Sequence, residues 1–303
     1  MIERPASPSS RPSKGRPAGT GRGEAPRRSS HSRTFGAIEV TGFAAGEIRV
    51  QGRAMFGAVP RKIWSEGNPP DAEGRVALAL NCFLVRTPGA LILADTGIGT
   101  LLDGRYLKYY RFSGDPGLEA PLAALGFRPG DIDVVFNSHL HFDHCGGNVT
   151  RDPSGAAVPA FPRARYVVRG GEWRTAFHPP ARDKTSYFPD RLKTLEAFDC
   201  LDLIEEDHEI AEGVEAVLLP GHTAFHQGLK VTGGGATFLF AGDIIPTAAH
   251  AGLGAVMSYD LFPEETRDTR KKILERAAAG AWVLGYAHDP GRFFGGVGAP
   301  GTG

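Results

Sequence analysis

The chain has 303 residues, 41% hydrophobic and 22% charged, and its 34 basic side chains are balanced by 34 acidic ones. That length and apolar share suit one large α/β domain or two small ones, and a net charge of zero makes no case for a nucleic-acid partner. No apolar run approaches the roughly 20 residues of a membrane span. The widely spaced cysteines Cys82, Cys145 and Cys200 are no disulfide framework, so a cytoplasmic protein is the expectation.

Residues 1–33 stand apart. Arg4, Arg11, Lys14, Arg16, Arg22, Arg27, Arg28 and Arg33 face only Glu3 and Glu24, among Pro, Ser and Gly. Such a stretch buries no apolar surface and is expected to be a disordered basic tail. A single domain over 34–303 follows, mildly acidic once the tail is set aside. Ile38-Glu39-Val40 and Glu47-Ile48-Arg49-Val50 alternate as strands do. Residues 75–85 and 90–94 form an expected hairpin turned at Thr87-Pro88-Gly89. A short helix is expected over 118–125 and a strand over 132–136. Residues 150–164 read as loop, 165–169 as strand, and 170–200 as a helical insertion lying over the site. Strands are expected at 214–219, 237–241 and 282–286. A helix over 264–279 is preceded by Pro263 and stopped by Gly280.

His139, His222, Asp243 and His288 each fall just past the C-terminal end of an apolar strand. Ligands of layered α/β folds gather at such an edge. The densest segment is His139-Leu140-His141-Phe142-Asp143-His144. His139 and His141, two apart on extended chain, point the same way, whereas Asp143 and His144 come after a turn. The pattern suits two metal ions better than one. His139, His141 and His222 would hold one ion, Asp143, His144 and His288 the other, and Asp243 would bridge them. Imidazole and carboxylate are the donors of hydrolytic zinc, and a structural zinc site would favour cysteines, which are absent from these positions. Redox iron takes the same donor types, so donors alone leave the metal open. His31, His178 and His208 read as ordinary surface histidines, and Cys145 as a small packing residue.

His139-x-His141-x-Asp143-His144, followed by Gly221-His222, Asp243 and His288, resembles the metallo-β-lactamase fold superfamily over roughly residues 75–290. The resemblance implies an αβ/βα four-layer sandwich, two packed mixed sheets flanked by helices, with metals at one edge. It places Asp95 behind a ligand. His226, four residues after His222, reads either as a further residue behind a ligand or as a polar residue at a helix start. The segment 138–148 and Pro220-Gly221-His222-Thr223-Ala224-Phe225-His226-Gln227 are similar to those of N-acyl-homoserine lactonases. True zinc β-lactamases lack the bridging carboxylate, so Asp243 argues for ester, lactone or phosphoester substrates. Those lactonases often carry a tyrosine shortly after the bridging aspartate. Here Ile244-Ile245-Pro246-Thr247 follows, and Tyr259, Tyr106, Tyr109 or Tyr110 are candidates to replace it. The 243–260 segment, with His250 and Tyr259, is expected to line the pocket.

The expected cofactors are two divalent ions, zinc first, with iron, manganese or cobalt as alternatives. The expected reaction is water-driven opening of a small ester or lactone, with Asp143 or Asp243 shuttling the proton. A phosphodiesterase or organophosphate hydrolase and a glyoxalase II-like thioesterase are the alternatives. No membrane partner is expected, and a homodimer is compatible with the sequence.

Overall fold

A computed structural model describes residues 30–296 of the protein. The first sheet is built from β1 (Ser30–Phe35), β2 (Ile38–Gln51), β3 (Arg75–Arg86), β4 (Leu91–Ala94) and β5 (Val134–Phe136). A separate hairpin, β6 (Val149–Arg151) with β7 (Ala157–Pro159), precedes β8 (Arg165–Arg169) and β9 (Leu201–Ile204). The sheet order is β1-β2-β3-β4-β5-β8-β9, antiparallel as far as β4 and parallel beyond it. The second sheet runs in sequence order through β10 (His208–Ala211), β11 (Val214–Leu218), β12 (Gln227–Gly233), β13 (Ala236–Phe240), β14 (Val283–Gly285) and β15 (Phe294–Gly296). Its β13–β14 pair is parallel and the rest antiparallel.

The strand sequences explain the layering. Successive side chains of a strand point to opposite faces. In β3, Phe83 and Val85 point to the second sheet, while Cys82 and Leu84 point to the helices. In β13, Phe238 and Phe240 meet the first sheet, and Leu239 meets a helix. Both faces are covered, so these strands read as continuous apolar runs. Phe83 is the hub between the sheets, its ring centroid 5.4, 5.0 and 5.5 Å from those of Phe238, Phe240 and Phe294.

Helices α1 (Gly52–Phe56), α2 (Arg61–Gly67), α3 (Gly104–Tyr109), α4 (Glu119–Ala124), α5 (Phe142–Cys145), α6 (Gly170–Phe177) and α7 (Pro189–Ala197) lie in the chain segments around the first sheet. α8 (Ala248–Leu253) and α9 (Pro263–Gly280) follow β13. α9 opens with Pro263, Glu264 and Glu265, and it buries Thr266, Thr269, Arg270, Ile273 and Ala277, one helical face. Two packed mixed sheets with helices on the outer faces match the expected αβ/βα sandwich.

Two boundaries differ from the sequence reading. Ser30–Arg33, assigned to the tail, pair with Phe43–Val40 as part of β1, and Arg33 lies over the Phe294 ring at 5.5 Å. Alternating polar residues on an edge strand leave no apolar run to detect. Residues 1–29 and 297–303 lie outside the described residues. The 150–164 stretch holds the β6–β7 hairpin, with its proline at the end of an edge strand where the missing N–H costs nothing.

Candidate metal centre

The ligand candidates come from the ends of strands in both sheets. His139, His141, Asp143 and His144 follow β5 of the first sheet. His222, Asp243 and His288 follow β11, β13 and β14 of the second. Two close backbone approaches set this edge. A Cβ on Gly146 would meet the Ile98 carbonyl oxygen at 2.1 Å, so the chain behind the motif rests directly on the β4–α3 connection. Gly221, at φ +139°, lies against the backbone of Thr266 in α9, where a Cβ would come within 2.5 Å.

Donor atoms converge in two groups. Those of His139, His141 and His222 lie within 4.8 Å of one another, as do those of Asp143, His144 and His288. His222 Nε2 is 3.2 Å from His141 Nδ1, and His288 Nε2 is 3.1 Å from His144 Nε2. Asp243 lies between the groups, with Oδ2 3.4 Å from His222 Nε2 and Oδ1 3.5 and 3.1 Å from His144 and His288 Nε2. It also groups with His139 and His144. Donors about 2.0–2.2 Å from one tetrahedral ion stand roughly 3–4 Å apart, the spacing found here. His139 Nε2 and Asp243 Oδ1 are buried without a hydrogen-bond partner among the described residues, a cost that bound cations would remove. The residues fit divalent metal ions.

The other nitrogen of each histidine is also held. His144 Nδ1 is 2.7 Å from Asp95 Oδ2, His222 Nδ1 2.9 Å from Asp260 Oδ1, and His141 Nε2 2.9 Å from Asp183 Oδ2. His288 Nδ1 meets the Ala79 carbonyl at 2.8 Å, and His139 Nδ1 meets Ser138 Oγ at 3.1 Å. Such outer acceptors fix which nitrogen faces inward and raise the ring's basicity. Asp95 takes a left-handed φ of 55° and also accepts the Ser138 N–H at 2.8 Å, so its backbone is bent to present both oxygens. Asp183 and Asp260 were not picked out from the sequence. Each is one carboxylate among many in polar loops, and no spacing rule ties it to a histidine 38 or 42 positions away.

The electrostatics follow from burial and charge. Burial pushes His139 well below the ordinary histidine value, and the neighbouring imidazoles add to this. Burial opposes the charge on His144, yet Asp243, Asp143 and Asp95 hold its pKa well above the ordinary value. His222 and His288 are raised in the same way against burial, both with Asp243 foremost. Asp243 resists burial and lies well below the usual carboxylate range because His288, His144 and His222 surround it.

The remaining candidates divide. His226 accepts the Asp243 N–H through Nε2 at 3.1 Å, behind the proposed bridging group. His250 does not line the site: its nitrogens are committed to Thr247 Oγ1 at 2.8 Å and the Met55 carbonyl at 2.9 Å, and its ring stacks on Phe56. It is a buried tie between α8 and α1. Ile244 and Ile245 are buried against α9 and cannot stand in for a pocket tyrosine. Burial raises the phenols of Tyr110 and Tyr259 above the ordinary tyrosine value, and the Asp143 charge adds to this at both. The expected insertion holds α6 and α7, and between them Tyr187 sets its ring edge-on to His141 at 4.8 Å. The Cys145 thiol donates to the Leu140 carbonyl at 3.3 Å, a packing role.

The metallo-beta-lactamase superfamily model matches residues 76–288. The chain belongs to that superfamily. An N-acyl homoserine lactonase of Bacillus thuringiensis is 29% identical over 162 residues, 50% of this chain and 57% of the relative. The chain thus spans little more than half the length of the curated lactonases it matches. Among solved structures, a probable metal-dependent hydrolase from Staphylococcus aureus superposes with a TM-score of 0.83 at 27% identity, covering 89% of this chain and 96% of that one. A dizinc quorum-quenching lactonase in complex with a homoserine product shares the fold at TM-score 0.72 and 22% identity, over 90% of this chain and 95% of that one. No helix among the described residues is long and apolar enough to cross a membrane.

Proposed function

We propose that this superfamily member is a two-metal hydrolase that opens ester or lactone bonds, N-acyl-homoserine lactones among them. One observation carries the reading. Asp243 stands between two ligand groups, offering one oxygen toward His222 and the other toward His144 and His288. His139, His141 and His222 would hold one ion, Asp143, His144 and His288 the other, and Asp243 would bridge. Bound divalent ions, zinc foremost, supply an activated water at neutral pH and polarise the substrate carbonyl.

The chain's own groups do the rest. The side chain of Asp143 is 17% exposed against 9% for Asp243, so Asp143 is the carboxylate with better access to an entering substrate and the better placed to carry a proton to the leaving oxygen. Tyr110 and Tyr259, whose phenols burial and the Asp143 charge keep protonated, would offer hydrogen-bond donors, and the Tyr110 ring, 5.1 Å from that of Phe142, would add apolar surface. This lining favours a neutral acyl substrate over a phosphodiester. The guanidinium of Arg75 is spent on the Tyr109 carbonyl at 2.9 Å, and that of Arg182 on the carbonyls of Ser258 and Asp260 at 2.9 and 3.1 Å. The matched lactonase sequences support the same choice.

The test is to assay the metal-loaded protein against an N-acyl-homoserine lactone, an aryl ester and an aryl phosphodiester. Lactone or ester turnover well above phosphodiester turnover is expected, and the reverse order overturns the substrate class. Asp243→Asn should lower metal content and hydrolysis together, and full activity at full metal content in that variant would sink the bridging assignment.

A further inference from the structure

We infer that Glu172, on α6, is the positioning residue for one of the two metal positions, the one formed by His139, His141 and His222. The inference rests on the two-position reading above. Glu172 is 1% exposed, yet its hydrogen-bond partners are all neutral donors. Oε1 accepts the N–H of Leu140 at 3.1 Å and the hydroxyl of Tyr187 at 2.9 Å, and Oε2 accepts the hydroxyl of Thr223 at 2.7 Å. A buried carboxylate is costly unless its lone pairs are met, so these donors are held firmly in return.

The three donors belong to the segments that supply this position. Leu140 lies between His139 and His141, and tethering its N–H keeps the chain extended there, so both imidazoles project to the same side. Thr223 follows His222, whose outer nitrogen already rests on Asp260. The Tyr187 ring packs edge-on to His141. One side chain thus joins the first sheet's motif, the second sheet's Pro220–Thr223 turn and the insertion. None of its three hydrogen bonds goes to Asp143, His144 or His288; His144 rests instead on Asp95 and His288 on the Ala79 carbonyl. Asp95 braces both positions, His144 directly and His139 through Ser138, whereas the hydrogen bonds of Glu172 all go to segments of one, so its loss should fall there.

The experiment compares wild type, Glu172→Ala, Glu172→Gln and Thr223→Ala by titrating metal-free protein with Zn2+ and Co2+. Histidine 15N shifts read which imidazoles are bound. Wild type is expected to take two equivalents. The alanine variant should keep one tight equivalent on His144 and His288 and bind the other about 10–100-fold more weakly, the usual cost of losing an outer support. Glu172→Gln should recover most of this, because the amide oxygen still accepts from Leu140 and Tyr187 and its NH2 can donate to the Thr223 oxygen. Thr223→Ala, a smaller change, should weaken the same position alone. Equal loss at both positions, or no loss at either, overturns the inference. A wild type that takes one ion overturns the two-ion reading instead, and Glu172 is then judged by whether that ion weakens in the alanine variant.

Discussion

Asp260 Oδ1 lies 2.9 Å from His222 Nδ1, while its Oδ2 accepts the Met257 N–H at 2.8 Å. Both oxygens must accept, and an amide offers only one acceptor. Asp260→Asn should therefore either release the His222 ring or turn the 257–260 loop. Metal affinity is expected to drop about 10–100-fold, measured by competition with a chromophoric chelator. Unchanged affinity would show that the ring needs no anchor there.

Metal uptake should release protons. In the metal-free protein His144, His222 and His288 have raised pKa values because Asp243 and its neighbours favour their charged forms over burial. A cation must displace those protons, so affinity should climb as pH rises through the ordinary histidine range and beyond it. Without metal the sign reverses: the raised values add stability that is complete below the unfolded value near 6.5 and is lost as pH rises through the folded values. Calorimetric titration in two buffers of different ionisation enthalpy counts the protons, and a count of zero near pH 7 contradicts this account.

His250 makes a prediction at lower pH. Burial, with the Arg270 charge behind it, pushes its pKa down to about 4. Between an unfolded value near 6.5 and that value, only the unfolded chain takes up the proton. Folding stability should decline as pH falls through this window, by roughly 3 kcal/mol from this residue. Urea denaturation at several pH values should show a flatter acid slope in His250→Gln than in wild type. Parallel slopes would mean that the ring gains its proton while folded.

Phe83→Ala removes the ring at the centre of the Phe238, Phe240 and Phe294 cluster. The cavity should cost about 3–5 kcal/mol. Denaturant midpoints of the metal-free protein measure it, and a loss below about 1 kcal/mol would mean that the sheets collapse onto the gap.

The candidate ligand histidines and Asp243 are legible because each follows an apolar strand and brings a donor to one edge. The strands themselves were legible where burial on both faces makes an unbroken apolar run, as in β3, β8 and β13. Edge elements such as β1 and the β6–β7 hairpin carry no such run, and pairing rather than composition makes them strands. His250 misleads because a histidine in a segment expected to line the pocket looks like a site residue, while its actual partners, Thr247 and the Met55 carbonyl, include a backbone atom 195 positions away. Asp183, Asp260 and Glu172 were hidden for a related reason. Their importance lies in which donor each one faces, and only the folded chain decides that.

Each of the two proposed ligand groups draws two members from the loop after β5 and one from the second sheet, His222 in one case and His288 in the other. An ion bound by either group would be a cross-link between the two halves of the sandwich, closing a chain loop of 81 residues from His141 to His222 or 144 from His144 to His288. Ion affinity and the docking of the two halves draw on one free energy. A substitution deep in the apolar seam, far from any ligand, should then surface first as a protein that loses its ions more readily.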